Sequence, residues 1–416
     1  MKKKILYITS ANLATNPRLV KEIDFLSLDY NIDVVLYRFI HWSSKVDKQM
    51  VSERKHINFK FIDISKKHKV NWVYWGIVEK FCRTMLPLFK NNLSICAGAL
   101  SRKSLKTWNY LNGTSFKSNY EFVVAHNLPA LYPAFKIAKK WNIPFAFDIE
   151  DYDPGMSFKD RGKHYEYVCK TLYKKLLPKA TYLTSASPLI GEYALKLIGG
   201  HHKHKVIINA FPKKEFIPTP RVEKDVYYRG PLRFIWFSLT ISFNRGLEEF
   251  IQAISQCNIS IELTLIGDMD NEFRQKIINP TSKKVKHIIF NIHPPISQQE
   301  LHKELINHHV GLSLENPQGE LNRELCLTNK IIAYAQAGNY ILASNTKAQK
   351  AFIQEYPDQG MLCSLSNGEE LIKAIKNLNK QRDMIINNLN KRYHSAINLA
   401  IENQMRRVKK LISEAI

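Results

Sequence analysis

The stretch Val310 to Ser344, VGLSLENPQGELNRELCLTNKIIAYAQAGNYILAS, constrains the fold more than any other part of the chain. Its apolar run Val310-Gly311-Leu312-Ser313-Leu314 reads as a short buried strand. A polar loop follows, Asn329-Lys330 opens a helix that Gly338 closes, and Tyr340-Ile341-Leu342-Ala343 is the next strand. In open parallel sheets, ligands bind outside the carboxyl ends of strands, where loops and helix amino termini converge. The loop from Glu315 to Asn329 lies in that place, with Asn329 expected as the helix cap. A helix start offers free N–H groups and partial positive charge, and Lys330 adds a full one, so an anionic ligand, above all a phosphate, is favoured there.

The same plan recurs along the chain. Lys4 to Ser10 is a buried strand, followed by the loop Ala11 to Pro17 and a helix from Arg18. Leu232 to Ser238 begins a second strand, whose loop Leu239 to Asn244 ends at Arg245-Gly246 before the amphipathic helix LEEFIQAIS. Further strands are expected at Asp33 to Arg38, Asn58 to Ile64, Glu121 to Ala125, Pro144 to Asp148, Thr181 to Ser185 and Val206 to Ile208. In the second half they fall at Ile261 to Ile266, His287 to Asn291, Val310 to Leu314 and Asn339 to Ala343. Strands alternating with helices argue for parallel sheets with crossover helices, hence an α/β chain of two Rossmann-like domains. The expected division is a first domain over 1–210, a Pro-rich charged linker over 211–231, a second domain over 232–395, and a terminal helix over 396–416 that crosses back onto the first domain.

A chain of 416 residues exceeds one ordinary core and suits two. No apolar run approaches the roughly 18 residues of a spanning helix. The basic, then briefly apolar, amino terminus lacks a small-residue cleavage site and reads as a strand, not a signal peptide. Six scattered cysteines without CxxC pairs suggest neither a zinc site nor a disulfide framework and fit a reducing cytoplasm. The formal charge of +24 favours polyanionic partners, although solvated lysines account for part of it. No recognised RNA or DNA motif accompanies that charge, so no nucleic-acid partner is expected. Asp268-Met269-Asp270 imitates a metal-binding DxD after a glycine turn and reads as coincidence. His201, His202 and His204 have no Cys or carboxylate beside them, so no metal site is expected.

Several motifs taken in order resemble the GT-B glycosyltransferases, specifically glycosyltransferase family 4 (glycosyl transferases group 1). Phe237 to Ala253 is similar to that family's loop-then-K/R-G-helix element, and Leu263 to Asp268, containing Gly267, to its following strand and turn. Asn329-Lys330 with Ala333 to Gly338 resembles "PNK…EYxxAG", and Tyr340 to Ser344 "PVIAS". In the first half Asn16-Pro17-Arg18, His126-Asn127-Leu128-Pro129 and Asp148-Ile149-Glu150-Asp151 resemble "D/N-P-R", "HDLP" and "DxHE". The resemblance implies two domains facing across a cleft. A sugar would pass from a nucleotide-diphosphate donor on the second domain to a saccharide or lipid-linked acceptor on the first. No cofactor or metal is implied, and the setting is surface polysaccharide or glycolipid synthesis.

On that reading His126, Asp148, Glu150, Arg245 and Lys330 are the candidate catalytic residues. Asn16, Arg18, Thr240, Arg245, Gly267, Glu324, Asn329 and Lys330 are the candidate donor contacts. Arg245 and Lys330, cations placed against helix dipoles, suit a departing diphosphate. His126 is expected at the cleft edge, and the acids Asp148, Glu150, Asp151 and Asp153 crowd one strand end, where like charge raises at least one pKa, as a general base requires. Two positions depart from the family pattern. Thr240 stands where an arginine is usual and Ala333 where a ribose-binding glutamate is usual, with Glu324 or Glu320 as substitutes. A nucleotide-sugar epimerase and a catalytically silent binding protein are the alternatives. Between Lys66 and Lys106, basic residues interleave with Trp72, Tyr74, Trp75, Phe81 and Phe89 against the single acid Glu79. That segment suits peripheral contact with an anionic lipid surface on the cytoplasmic side.

Overall fold

A computed structural model describes residues 2–38, 43–65, 68–113, 119–157, 162, 164–216, 228 and 230–416. Residues 217–227 and 229 of the expected linker, and Lys66 and Lys67, lie outside the described residues. The chain divides into two compact units. The first comprises Met1–Ile208, Glu320–Asn322 and Met405–Ile416, and the second Asn209–Gly319 and Arg323–Gln404.

The first unit holds a seven-stranded sheet in the order β3-β2-β1-β4-β5-β6-β7, all parallel. Its strands are β1 (Lys4–Thr9), β2 (Asn31–Arg38), β3 (Asn58–Asp63), β4 (Phe122–His126), β5 (Phe145–Ile149), β6 (Tyr182–Ser185) and β7 (His204–Val206). The central strands are covered on both faces, and β4 and β5 are buried at every residue, as continuous Val, Ala and Phe runs require in a parallel sheet. Helices α1 (Pro17–Leu26), α2 (Lys69–Met85) and α3 (Leu128–Trp141) belong to this unit.

The second unit holds six parallel strands in the order β10-β9-β8-β11-β12-β13. They are β8 (Leu232–Ile241), β9 (Ile261–Met269), β10 (Ile288–His293), β11 (Val310–Ser313), β12 (Tyr340–Ser344) and β13 (Gly360–Cys363). Helices α4 (Leu247–Ser255) and α5 (Asn329–Ala337) follow β8 and β11. Fully buried Phe234, Trp236, Phe250, Leu263 and Leu312 form part of its core. The terminal helix α6 (Ile401–Ala415) buries Met405, Val408, Leu411 and Ile412 on one side, and its later turns belong to the first unit. Lys409 pairs there with Asp29 at 2.7 Å, and Glu414 with Lys203 at 2.7 Å.

Three details correct the sequence reading. The residues taken as a loop after Ser238 continue β8 to Ile241 through a register shift between Phe237 and Thr240. Gly267 is not in a turn: it lies within β9 at φ 153°, and a Cβ there would stand 2.2 Å from the Ser238 carbonyl oxygen. The irregularity in β8 brings the backbones this close, and only glycine fits. The last strand expected in the first half, at Val206 to Ile208, instead occupies His204–Val206.

Candidate functional site

In each sheet the strand order reverses beside the first strand, between β1 and β4 in one unit and between β8 and β11 in the other. Those switch points are where ligands of open parallel sheets bind. Each end has its own chemistry.

In the first unit the parallel register sets Thr9, His126, Asp148 and Thr184 in one row across β1, β4, β5 and β6. Helix α1 brings Arg18 and Glu22, one turn apart, to that row. Arg18 grips Asp148 through both carboxyl oxygens, Nε to Oδ2 at 2.9 Å and an Nη to Oδ1 at 2.7 Å, and its other Nη donates to the Ile207 carbonyl at 2.7 Å. Thr184 donates to Asp148 Oδ1 at 2.5 Å. The His126 ring lies between two acids, Nε2 at 3.3 Å from Glu22 and Nδ1 at 3.5 Å from Asp148, and Tyr7 donates to Glu22 at 2.9 Å. All are buried.

Burial opposes charge on Asp148, but the Arg18 guanidinium, His126 and the Thr184 hydroxyl hold its carboxyl well below the usual range. Burial likewise lowers the affinity of His126 for a proton, and Glu22 and Asp148 more than reverse this, so its pKa is raised. The network therefore corrects several expectations. Arg18 has its donors engaged by Asp148 and Ile207 and does not reach toward a ligand phosphate. His126 is a buried core residue, not a strand-edge group, and Asp148 is too firmly ionised to act as a general base. Asn16 is wholly buried, caps α1 by accepting from Leu19 N at 3.2 Å, and donates to Thr9.

Glu150, one residue past β5, behaves differently. It lines a cavity of about 340 Å³ together with Asn127, Asp148, Asp151, Asp153, Arg83, Ser101 and Tyr165. Burial pushes its carboxyl up to about 7; Arg18 opposes the rise, Asp151 and Asp148 add to it, and His126 opposes it. Asp153 accepts from Tyr173 at 3.0 Å and Tyr165 at 3.3 Å. Asn127, part of the His126-Asn127-Leu128-Pro129 motif but not among the candidate site residues, donates to Glu150 Oε2 at 3.1 Å. Its signal in the sequence was the polar residue between a strand and a proline-opened helix.

In the second unit a chamber of about 480 Å³ opens at the switch point. Phe211, Phe237, Leu239, Ile266, Pro295, Ile296 and Leu301 give it an apolar wall, and Ser238, Thr328, Asn329 and Lys330 a polar end. The polar end is the start of α5. The helix begins at Asn329, so the cap is Thr328 rather than Asn329, and the Thr328 side chain makes no capping bond to the first turn. Asn329 Oδ1 instead accepts from Asn209 Nδ2 at 2.9 Å. Lys330 Nζ lies 2.8 Å from Glu315 and 5.5 Å from the centre of the Trp236 ring. Its ammonium is thus oriented at the chamber edge by one carboxylate. His302 closes the wall, stacked 4.3 Å from Phe216 and 2.6 Å from Glu215.

The other predicted donor contacts are not gathered there. Arg245, half-buried, precedes Gly246 at the start of α4, and the Glu248 side chain accepts from Asn244 N there. Arg245 is not among the residues lining the Lys330 chamber. Thr240 is an exposed strand residue opposite Asp268. Glu324 accepts from Lys347 N at 3.0 Å, and Glu320, which belongs with the first unit, from Ser157 N at 3.1 Å. Ala333 is fully buried in α5. Among the described residues no group of three or more His, Cys, Asp or Glu is arranged to hold a metal ion.

The architecture is the GT-B fold. The structure is similar to that of the Anabaena protein Alr3699/HepE in complex with UDP, at a TM-score of 0.66 and 14% identity over 99% of this chain and 100% of that one. Sucrose-phosphate synthase from Thermosynechococcus elongatus superposes with a TM-score of 0.66 at 12% identity, covering 99% of each chain. The lipopolysaccharide outer core galactosyltransferase WaaB does so with a TM-score of 0.61 at 13% identity, covering 99% and 100%. No family model and no curated protein sequence matches the chain.

Proposed function

We propose that the protein is a glycosyltransferase similar to those of family 4, a hexosyltransferase that moves a sugar from a nucleotide-diphosphate donor to a saccharide or lipid-linked acceptor in surface polysaccharide or glycolipid synthesis. The observation that carries the reading is the second unit's chamber, an apolar wall leading to an uncapped helix start beside Lys330. A nucleoside fits the wall, and diphosphate oxygens suit the free N–H groups and the ammonium. Glycosyl transfer creates negative charge on the departing diphosphate, and fixed donors stabilise that charge without reorganisation. Lys330 is the proposed leaving-group stabiliser, acting without a bound metal; Arg245, outside the chamber, would contribute only from the start of α4. Complexes of HepE with UDP and with UDP-glucose support a nucleotide-sugar donor by likeness of fold.

The acceptor falls to the first unit, where Glu150 is the proposed general base. Contact with an anionic membrane surface is supported by α2. Its residues Val70, Val73, Tyr74, Ile77 and Phe81 share one exposed face, with Val70 86% and Ile77 62% exposed, while Trp75 and Cys82 pack inward. Leu88 and Phe89 extend the apolar strip, and exposed Lys69, Lys80 and Lys90 flank it. The one acid, Glu79, is paired with Arg83 at 2.5 Å. Lys103 and Lys106 do not contribute, because both ammonium groups donate to backbone carbonyls of the unit, Ser10 and Asp63. Among the described residues no helix is long and apolar enough to cross a membrane, so the proposed contact is peripheral, on the cytoplasmic face.

A thermal-shift screen against UDP, GDP, CDP and ADP sugars tests the donor. One nucleotide class should stabilise the protein, and Lys330→Ala and Arg245→Ala should remove the shift; an undiminished shift in both variants would put the donor elsewhere. Product analysis with donor alone separates transfer from epimerisation.

A further inference from the structure

We propose, resting on the nucleotide-donor reading, that the segment Asn209 to Phe216 is a working wall of the second unit's chamber. Phe211 is the aromatic surface on which the donor's base packs, and Gln336 is the residue that positions it. Every residue of this arrangement belongs to the second unit.

The local sequence already stiffens the segment. Phe211 precedes Pro212, which disfavours the helical region for Phe211 and favours an extended chain there. Phe211 lies outside both sheets, so its backbone N–H and carbonyl have no strand partner and must be met in another way. Gln336, on α5, meets them. Its Oε1 accepts from Phe211 N at 2.9 Å and its Nε2 donates to the Phe211 carbonyl at 2.9 Å, so one side-chain amide pairs with both backbone groups of one residue, as a facing strand would. The Phe211 carbonyl also accepts from Ile401 N at 3.2 Å, at the start of α6. Asn329 and Gln336 stand seven residues apart, two turns along one face of α5, and Asn209 Nδ2 donates to Asn329 Oδ1 at 2.9 Å. The helix whose amino end is proposed to take the diphosphate therefore also carries the segment.

The other end of the segment is fastened independently. Glu215 accepts from His302 Nδ1 at 2.6 Å and from Gln298 Nε2 at 2.9 Å. The His302 ring meets both phenylalanines, edge-on to Phe211 at 4.5 Å and stacked on Phe216 at 4.3 Å. Their burial separates their roles. Phe216 is 1% exposed and serves as the anchor, whereas Phe211 keeps 7% of its surface and lines the chamber beside His302.

The chamber thus offers two kinds of contact. Aromatic rings stack on every base, so Phe211 supplies affinity for the nucleoside without choosing among bases. The α5 start and Lys330 supply affinity for phosphate oxygens. A ligand that lacks the nucleoside uses only the second kind.

Calorimetric titration of the full chain with UDP, GDP, CDP, ADP and inorganic pyrophosphate tests this. For the nucleoside diphosphate that wild type binds best, Phe211→Ala should weaken affinity about 10-fold, and Phe211→Tyr, which keeps the ring, should bind as wild type does. Gln336→Leu should also weaken it about 10-fold, although Gln336 does not line the chamber. Pyrophosphate should bind all three variants within about twofold of wild type, because the helix start is untouched. Phe211→Ala leaves the backbone bonds of the segment in place, so it decides the question should Gln336→Leu fail to fold. Pyrophosphate affinity falling in step with the nucleotide, or nucleotide affinity unchanged in Phe211→Ala, overturns the inference and leaves the donor reading standing. If none of the four nucleotides binds wild type, the donor reading fails and takes the inference with it.

Discussion

The two sheets end in opposite ways. At the carboxyl end of the first sheet, Arg18, His126, Glu22 and Asp148 neutralise one another inside the core, and Glu150, one residue past β5, lines a cavity without such a charged partner at hydrogen-bond distance among the described residues. At the corresponding end of the second sheet the helix start is left uncapped, and Lys330 lies at the wall of an open chamber. Identical placement on the fold therefore does not imply identical use. Where charges are paired and dry they hold strands in register, and where donors are left unsatisfied they can serve a ligand.

The largest effect expected from breaking this contrast is on the paired side. Asp148→Asn leaves the Arg18 guanidinium buried without its carboxylate and should lower unfolding stability by about 3–5 kcal/mol in urea titrations. The pH dependence has a definite sign. The contribution of Asp148, whose folded pKa is depressed, is present above its ordinary value of about 3.9 and is lost as pH falls through the lower folded value. The contribution of His126, whose folded pKa is raised, is full below about 6.5 and is lost as pH rises through the higher folded value.

On the open side, Lys330→Ala should weaken nucleotide-diphosphate binding by about 1.5–3 kcal/mol in calorimetry, the value of a charge-assisted hydrogen bond, and, because it leaves Glu315 without its partner at 2.8 Å, should also lower stability in the same urea titrations. Glu150→Gln sharpens the contrast within the first unit. A carboxyl with its pKa pushed up to about 7 costs the folded state stability as pH rises from its ordinary range to 7. Removing it should raise stability at pH 8 by about 1–3 kcal/mol while activity falls. The smallest effect on stability belongs to Ile77→Ser with Phe81→Ser, exposed changes worth about 0.5 kcal/mol or less. They should nonetheless reduce sedimentation with anionic vesicles, and unchanged recovery would remove the membrane contact. Chelation with EDTA should leave transfer rates unchanged.

Much of this fold was legible in the sequence, because buried parallel strands are apolar runs punctuated by helix starts. The strands from β1 through β12 follow those runs to within a few residues. β13 was missed: Met361-Leu362-Cys363 is too short an apolar run, behind Gly360, to show a period. The irregularity in β8 was invisible because it depends on how that strand pairs with β9, and this is also why Gly267 was mistaken for a turn residue. The site was less legible. Asp148 and Glu150 stand two residues apart among the same acids, and only the register that carries Arg18 and Thr184 to Asp148 separates a locked carboxylate from a titrating one. The place of Lys330 at a helix start was legible because that pattern is local. The α2 ridge could be read as basic and aromatic, but which of its faces is buried depends on packing, as Gly98 shows: a Cβ there would lie 2.4 Å from Cys82 Sγ.

Amide hydrogen exchange with and without the nucleotide diphosphate that gives the largest thermal shift tests the central claim most directly. Protection should appear in the second unit at residues 238–240, 295–298 and 328–332, and should be lost in Lys330→Ala. Protection confined to the first unit, or unchanged in Lys330→Ala, would contradict a donor held by the uncapped helix start.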